Sequence, residues 1–258
     1  MYSNFKNTTF ILTLLISFSF TSFSQINQLD EKGRKQGEWQ KTFVDSEALR
    51  YKGQFNDDKP VGKFVYYYPN NQVRSIITHD QNSKRSEAFF YHPTNDLIAH
   101  GIYRGELKDS VWTHFLPTGF YSFTETYKNG ELHGERITFY GPEAIEDPKI
   151  KLILRKSNFV NGEQHGEFIE YFSDGIIKAE GSYLNGVLEG VILKNHPNGK
   201  TMIKERWKNQ KKHGWWVTYD ESGKELGRIY FLEGVQLEGK ELTDYLEKLK
   251  NEGRSPNN

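Results

Sequence analysis

The side chains able to do chemistry are many but scattered. The 258-residue chain has eight His and 34 acidic residues, and no Cys. Without Cys there is no disulfide, no thiolate metal site and no cysteine nucleophile. His133, His165 and His213 each stand immediately before a Gly. Zinc ligands come in tight local pairs, whereas these three fall in separate segments, so they read as a repeated turn feature. Glu38, Glu135 and Glu167 each follow such a Gly. Glycoside hydrolysis needs two carboxyl groups about 5–10 Å apart in a cleft, which a periodic surface Glu does not supply. No Gly-rich phosphate loop opens onto a helix, and no serine elbow is present. The expectation is a protein that is not an enzyme and holds no metal or cofactor.

The spacing of those Gly leads to the elements that carry them. Residues 161–184 (NGEQHGEFIEYFSDGIIKAEGSYL) are followed at once by two further copies, 185–208 and 209–232, with an unbroken period of 24. A fixed period in this range marks a repeat architecture. Each copy reads as a turn, a short strand, a second turn and a second strand. One marker position falls on Gly37, Gly62, Ser86, Ser110, Gly134, Gly166, Gly190, Gly214 and Gly239, and is read as the end of the opening turn. Two residues after it stand Trp39, Phe64, Ala88, Trp112, Arg136, Phe168, Ile192 and Trp216. Five after it stand Thr42, Tyr67, Tyr91, Phe115, Phe139, Tyr171, Asn195 and Tyr219. Seven before the next marker stand Phe55, His79, Tyr103, Tyr127, Phe159, Tyr183 and Trp207. Aromatics in register on neighbouring hairpins form cross-strand ladders, each pair worth about 0.2–1 kcal/mol. Nine after the marker come Asn71, Asn95, Gly119, Gly175, Gly199 and Gly223, residues that tolerate positive φ and mark the second turn. Positions two and five cannot share one face of a flat strand. Either a bulge intervenes or both faces are covered.

The periodic part covers 25–239, about eight hairpins, with eight extra residues near 141–149. That acidic insertion reads as an extended hairpin tip, since loops accept insertions cheaply. Beyond it, 241–252 place Leu242, Tyr245, Leu246 and Leu249 on one apolar face of a helix. The helix, within 240–253, is expected to cap the open sheet edge, and 254–258 to be disordered. At the other end, Lys6 precedes the apolar run 10–20 and the small residues 21–24. This is the pattern of a secretory signal peptide over 1–24, with cleavage near Ser24–Gln25. It implies export to the periplasm, cell surface or medium. Lys+Arg and Asp+Glu both number 34, which argues against a nucleic-acid partner.

The pattern Asn-Gly-x-x-x-Gly-x-Phe/Trp-x-x-Tyr resembles the MORN repeat in its bacterial variant form. It is carried by Asn161-Gly162, Gly166, Phe168 and Tyr171, by Asn129-Gly130 and Gly134, by Gly186 and Gly190, and by Gly214, Trp216 and Tyr219. Strings of such repeats are often labelled antitoxins of the YwqK type. The resemblance implies an all-β fold, an elongated twisted antiparallel sheet of tandem hairpins. It also implies a role in protein contact, scaffolding or phospholipid headgroup binding, and no catalytic residues. Because Trp and Tyr dominate binding hot spots, the candidate surface is Trp39, Tyr67, Trp112, Phe168, Tyr171, Trp207, Trp216 and Tyr219. Lys204 and Lys208 join them from the basic stretch 200–212, which reads chiefly as a solvated strand face around the ladder residue Trp207. The leading expectation is an exported scaffold for an unknown partner protein. A lipid- or glycan-binding surface and an antitoxin-like binder are the alternatives.

Overall fold

The structure, a computed structural model, describes residues 25–257; the expected signal peptide and Asn258 lie outside them. Among the described residues are nineteen strands and one helix. From Gln28–Leu29 to Val235–Leu237 the strands pair antiparallel in sequence order, in one open meander, with Lys211–Lys212 and Gly214–Tyr219 together lining one edge of Thr201–Lys208. The fold is all-β with a short C-terminal helix, as the repeats imply.

Two-residue turns close one end of the hairpins. Asn129–Gly130, Asn161–Gly162, Asn185–Gly186, Asn209–Gln210, Asp57–Asp58 and Glu233–Gly234 all have positive φ at both positions. This is the type I′ geometry whose twist suits flanking strands. The turns also lock neighbours together. The Gly162 N–H donates to Leu132 O at 2.8 Å, Gly186 N–H to Gln164 O at 2.8 Å, and Gly234 N–H to Lys212 O at 2.8 Å. At the opposite end the second turns carry the expected positive φ at Asn71, Asn95, Gly119, Gly175, Gly199 and Gly223.

The marker residues do not end a turn. Gly37, Gly62, Gly134, Gly166 and Gly190 lie inside strands. They have positive φ, and the register shifts around several of them, as between Lys52 and Gln54 opposite Gly62. Gly62, Gly134, Gly166 and Gly190 are therefore bulges, which strengthen the local twist. Ser86 is the exception that explains itself. Its pairing, Ser75–His79 against Ser86–Phe90, has no shift, and a longer loop closed by Asp80 N–H to Arg85 O takes the place of turn and bulge. A second irregularity follows four to five residues after the marker, as between Glu170 and Tyr171.

These bulges settle the face question. Positions two and seven meet on one face, where Tyr103 packs against Trp112 at 4.9 Å, Phe168 against Tyr183 at 5.3 Å and Trp207 against Trp216 at 5.3 Å. We call this the aromatic face. Position five points to the other, where Phe115 packs against Tyr121 at 4.9 Å. We call that the groove face.

Helix α1, Gly239–Asn251, closes the C-terminal end. Leu242, Tyr245, Leu246 and Leu249 are its non-exposed residues, apart from its ends, with Leu249 buried. Tyr245 meets Tyr230 at 5.8 Å. The tail differs from the expectation of disorder. Tyr230 Oη donates to Pro256 O at 2.8 Å, and Arg254 N–H to Leu249 O at 2.9 Å. These bonds fold residues 254–257 back over the last hairpin.

Candidate binding faces

On the aromatic face the side chain two places after each marker lies flat over the residue nine places before it. Gly53 sits under Phe64, Gly101 under Trp112 and Gly181 under Ile192. A methyl on Gly101 would lie 2.6 Å from Trp112 Cγ, and one on Gly53 2.5 Å from Phe64 Cγ. No side chain other than hydrogen fits there. Burial follows: Trp112 is 1% exposed and Phe168 6%. These two are therefore corrected from candidate contact residues to core. The indole N–H of Trp112 is satisfied internally by Ile102 O at 3.0 Å.

The fifth repeat replaces this apolar stack with charge. The position under the ring is Glu125, and the position above is Arg136, whose Nη1 stands 3.5 Å from Glu125 Oε1. Tyr127 Oη donates to Glu125 Oε2 at 2.7 Å. Burial first, and then that hydrogen bond, push the Tyr127 hydroxyl up to about 12. His114 Nε2 lies 3.8 Å from Glu125 Oε2. Burial, and then the Lys108 ammonium, push His114 below its ordinary value. The eighth repeat holds a second buried acid at the same place: Glu205 accepts from Lys194 Nζ at 2.6 Å and from Trp207 Nε1 at 3.0 Å. Sequence reasoning passed over Gly53, Gly101, Gly181, Glu125 and Glu205. Their common place nine before the marker was the available signal. Both acids are bonded to neighbouring side chains, so they serve as internal ties. Among the described residues, no group of three or more His, Asp or Glu gathers where a metal could sit.

The other candidates divide between the faces. Lysines cover the aromatic-face rings: Lys35 Nζ lies 5.2 Å over Trp39 and Lys212 Nζ 4.4 Å over Trp216. Trp216 Nε1 donates to Arg206 O at 2.9 Å. Alternation along Thr201–Lys208 puts Trp207 with Glu205 on the aromatic face, and Lys204 and Lys208 on the opposite one. The basic stretch is therefore no basic–aromatic stripe. Tyr171 and Tyr219 are half-buried, and their carbonyls accept from the preceding repeat, from Tyr140 Oη at 2.8 Å and His196 Nε2 at 3.0 Å.

The groove face is the better surface. Along its centre run directly paired residues from successive strands: Gln40 with Lys52, Val65 with Ile76, Ile169 with Glu180, and Leu193 with Lys204. Clefts open over this line. One of about 630 Å³ is lined by Gln40, Lys52, Lys63, Val65, Tyr67 and Ile76, among others, with Trp39 at its wall. Another of about 300 Å³ is lined by Glu167, Ile169, Glu180, Gly181, Ser182 and Leu193, with Phe168 behind them. They occupy the same place in two repeats far apart in sequence. Each sits beside one of the bare glycines, Gly53 or Gly181. Of the expected residues, the groove face thus gathers Tyr67, Tyr171, Tyr219, Lys204 and Lys208, with Trp39 at the edge of the larger cleft.

A single-sheet meander with repeated clefts on one face and a self-packed ladder on the other defines a sheet built from hairpin repeats. Residues 60–81 and 164–185 match the family described as the MORN repeat variant, so the chain carries MORN-variant repeats at these two places. No curated protein matches the chain. Among solved structures it is similar to the Tc holotoxin pore of Photorhabdus luminescens, in a mutant form, at 12% identity with a TM-score of 0.18. That alignment covers 78% of this chain and 11% of the other, and a score so low carries no argument.

Proposed function

We propose that the protein is an exported, non-enzymatic scaffold that holds a partner protein along its groove face. MORN repeats generally mediate protein or membrane-lipid interactions. The observation that carries the choice is the recurrence of a cleft at the same place in distant repeats, along a line mixing Val, Ile and Leu with Lys, Glu and Gln. An extended peptide or a second sheet finds apolar anchors and polar partners at a regular step there, as interfaces with buried anchors and a polar rim require. A lipid or glycan surface calls for open aromatics beside cations. Lys35, Lys108 and Lys212 instead lie over the rings of their own ladder, which leaves those rings covered. No helix among the described residues is long and apolar enough to cross a membrane.

Photo-crosslinking residues placed at Gln40 and Ile169 on the groove face, with Glu170 on the aromatic face as control, test the reading in native envelope fractions. The expected result is one protein captured from both groove positions and not from the control. Retention on liposomes or glycans with no captured protein would transfer the assignment to the second class. Export is tested by N-terminal sequencing of the periplasmic or medium fraction; an intact Met1 there refutes cleavage near Ser24–Gln25.

A further inference from the structure

The sheet ends on half a pair at both extremities. An interior strand such as Thr201–Lys208 is paired along both edges, with Val187–Asn195 on one side and with Lys211–Lys212 and Gly214–Tyr219 on the other. Glu225–Leu232 is the corresponding strand of the last repeat. One edge is paired with Gly214–Tyr219, but on the other only Tyr230, Phe231 and Leu232 find partners, in Leu237, Gln236 and Val235. The chain then becomes helical at Gly239, where the next strand would have run. The outer edge from Glu225 to Ile229 therefore pairs with no strand among the described residues. It carries Leu226 at 67% exposure and Ile229 at 45%.

The first repeat presents the complementary defect. Gly37–Thr42 pairs along its inner edge with residues 49–55, yet on the outer edge of Lys35–Thr42 only Lys35 and Gln36 pair among the described residues, with Leu29 and Gln28. Further along that edge Asn27 stands in for a strand. Its N–H donates to Glu38 O at 2.8 Å, and its Oδ1 accepts from Gln40 N–H at 2.8 Å. In the repeat lattice, a strand of the Glu225–Leu232 kind is always followed by one of the Lys35–Thr42 kind. Each end lacks what the other offers.

We propose that the Glu225–Ile229 edge of one copy takes up residues 38–42 of a second copy, so that the array continues head to tail through strand addition. The register is that of the interior, where Ile203 pairs with Thr218 and Lys204 with Val217. Transferred by position in the repeat, Gly227 faces Lys41 and Arg228 faces Gln40. Trp39 then comes opposite Ile229, the place that Trp216 takes relative to Glu205 inside the chain. Lys41 comes diagonally beside Glu225 with opposite charge. Residues 225–229 are all exposed, as a strand edge without a partner requires. Such a contact joins unlike patches and does not close on itself, so growth is limited only by concentration.

Sedimentation velocity over a concentration series tests this with the purified protein. The wild type is expected to associate as concentration rises. Leu226→Lys with Ile229→Lys places charge on the C-terminal edge, and Gln40→Pro removes the outward N–H at the other end. Lys41→Glu serves as a milder second variant, and circular dichroism confirms folding of each. Either blocked variant alone is expected to associate at least tenfold more weakly. Mixed together they should form a one-to-one dimer and nothing larger, since each retains one competent end. A wild type that stays monomeric throughout overturns the proposal. So does a C-terminally blocked variant that still self-associates, or two folded blocked variants that fail to pair when mixed.

Discussion

Replacing Gly101 by Ala tests the central packing rule of the sheet. The added methyl would lie 2.6 Å from Trp112 Cγ, with the ring-fusion carbons nearer still. The indole is a rigid bicycle, 1% exposed, and its N–H is tied to Ile102 O. Either the two strands part, which as overpacking costs about 1–3 kcal/mol, or the ring leaves its site. Leaving approaches the cost of truncating a buried Trp, about 3–5 kcal/mol. The cheaper route sets the outcome. Removing a Gly from the unfolded chain returns about 0.4–1 kcal/mol, so the net loss should be about 1–1.5 kcal/mol. Gly227 is the control, also in a strand and also without positive φ, but with nothing within 4 Å of its missing side chain. Gly227→Ala should be neutral or slightly stabilising. Urea unfolding monitored by Trp fluorescence gives both values from the midpoint at constant slope. Adding Trp112→Leu to Gly101→Ala should cost less than the sum of the two singles by at least about 1 kcal/mol, because the pair is in contact. If Gly101→Ala and Gly227→Ala agree within about 0.5 kcal/mol, the idea that bare glycines floor the ladder is wrong.

Arg136→Met should destabilise by about 2 kcal/mol, since it strips a partner from the buried Glu125 carboxylate; restoring the apolar stack with Glu125→Gly and Arg136→Phe together should recover most of that loss in the same urea assay. Tyr140→Phe removes the hydroxyl that ties one repeat to the Tyr171 carbonyl of the next and should cost about 1 kcal/mol, read as an earlier thermal midpoint. His79 and His114 are both pushed below 6.5 by burial. The unfolded chain therefore binds more protons below that pH, and stability should fall as pH drops through 6.5 toward the lowered folded values, then level off. Denaturation midpoints at pH 7.5 and 5.5 check this, and the difference should shrink in a His79→Gln, His114→Asn double variant.

What the sequence disclosed was whatever demands a special backbone. Gly and Asn at fixed intervals located six of the second turns and most of the two-residue turns, because positive φ restricts the residue type; Asp57–Asp58, with neither Gly nor Asn, escaped that signal. The helix was legible for the same local reason, in that Leu242, Tyr245, Leu246 and Leu249 repeat at helical spacing and are the residues turned inward. The marker glycines were found but misplaced. Positive φ serves a bulge as well as a turn, and only strand pairing tells them apart. Exposure was not legible at all. Trp112 and Trp39 occupy the same position in their repeats, yet one is core and the other is at a cleft wall. Both stand against a bare glycine and an aromatic ring on one adjoining strand, Gly53 and Phe55 for Trp39 and Gly101 and Tyr103 for Trp112; the difference is that the strand of Trp112 is flanked along both edges and that of Trp39 along one.

That difference points to how the chain specifies its own order. In a repeat stack each unit contacts chiefly its neighbours, so stability is a sum of nearest-neighbour terms. Identical interfaces would let hairpins pair out of turn. Here the interfaces are made unlike. Phe64 over Gly53, Trp112 over Gly101 and Ile192 over Gly181 are mutually exchangeable in kind, but Arg136 over Glu125 is not. An aromatic strand slipped onto Glu125 would take away its Arg136 partner without the lysine that holds Glu205 beneath Trp216, and Arg136 slipped onto a glycine floor would lose its carboxylate. The charged interface lies between the degenerate second-to-fourth repeats and the regular later ones, directly before the insertion at 141–149. A misregistered stack must break it, and the correct stack makes it once. The ion pair thus contributes less to total stability than to the uniqueness of the arrangement.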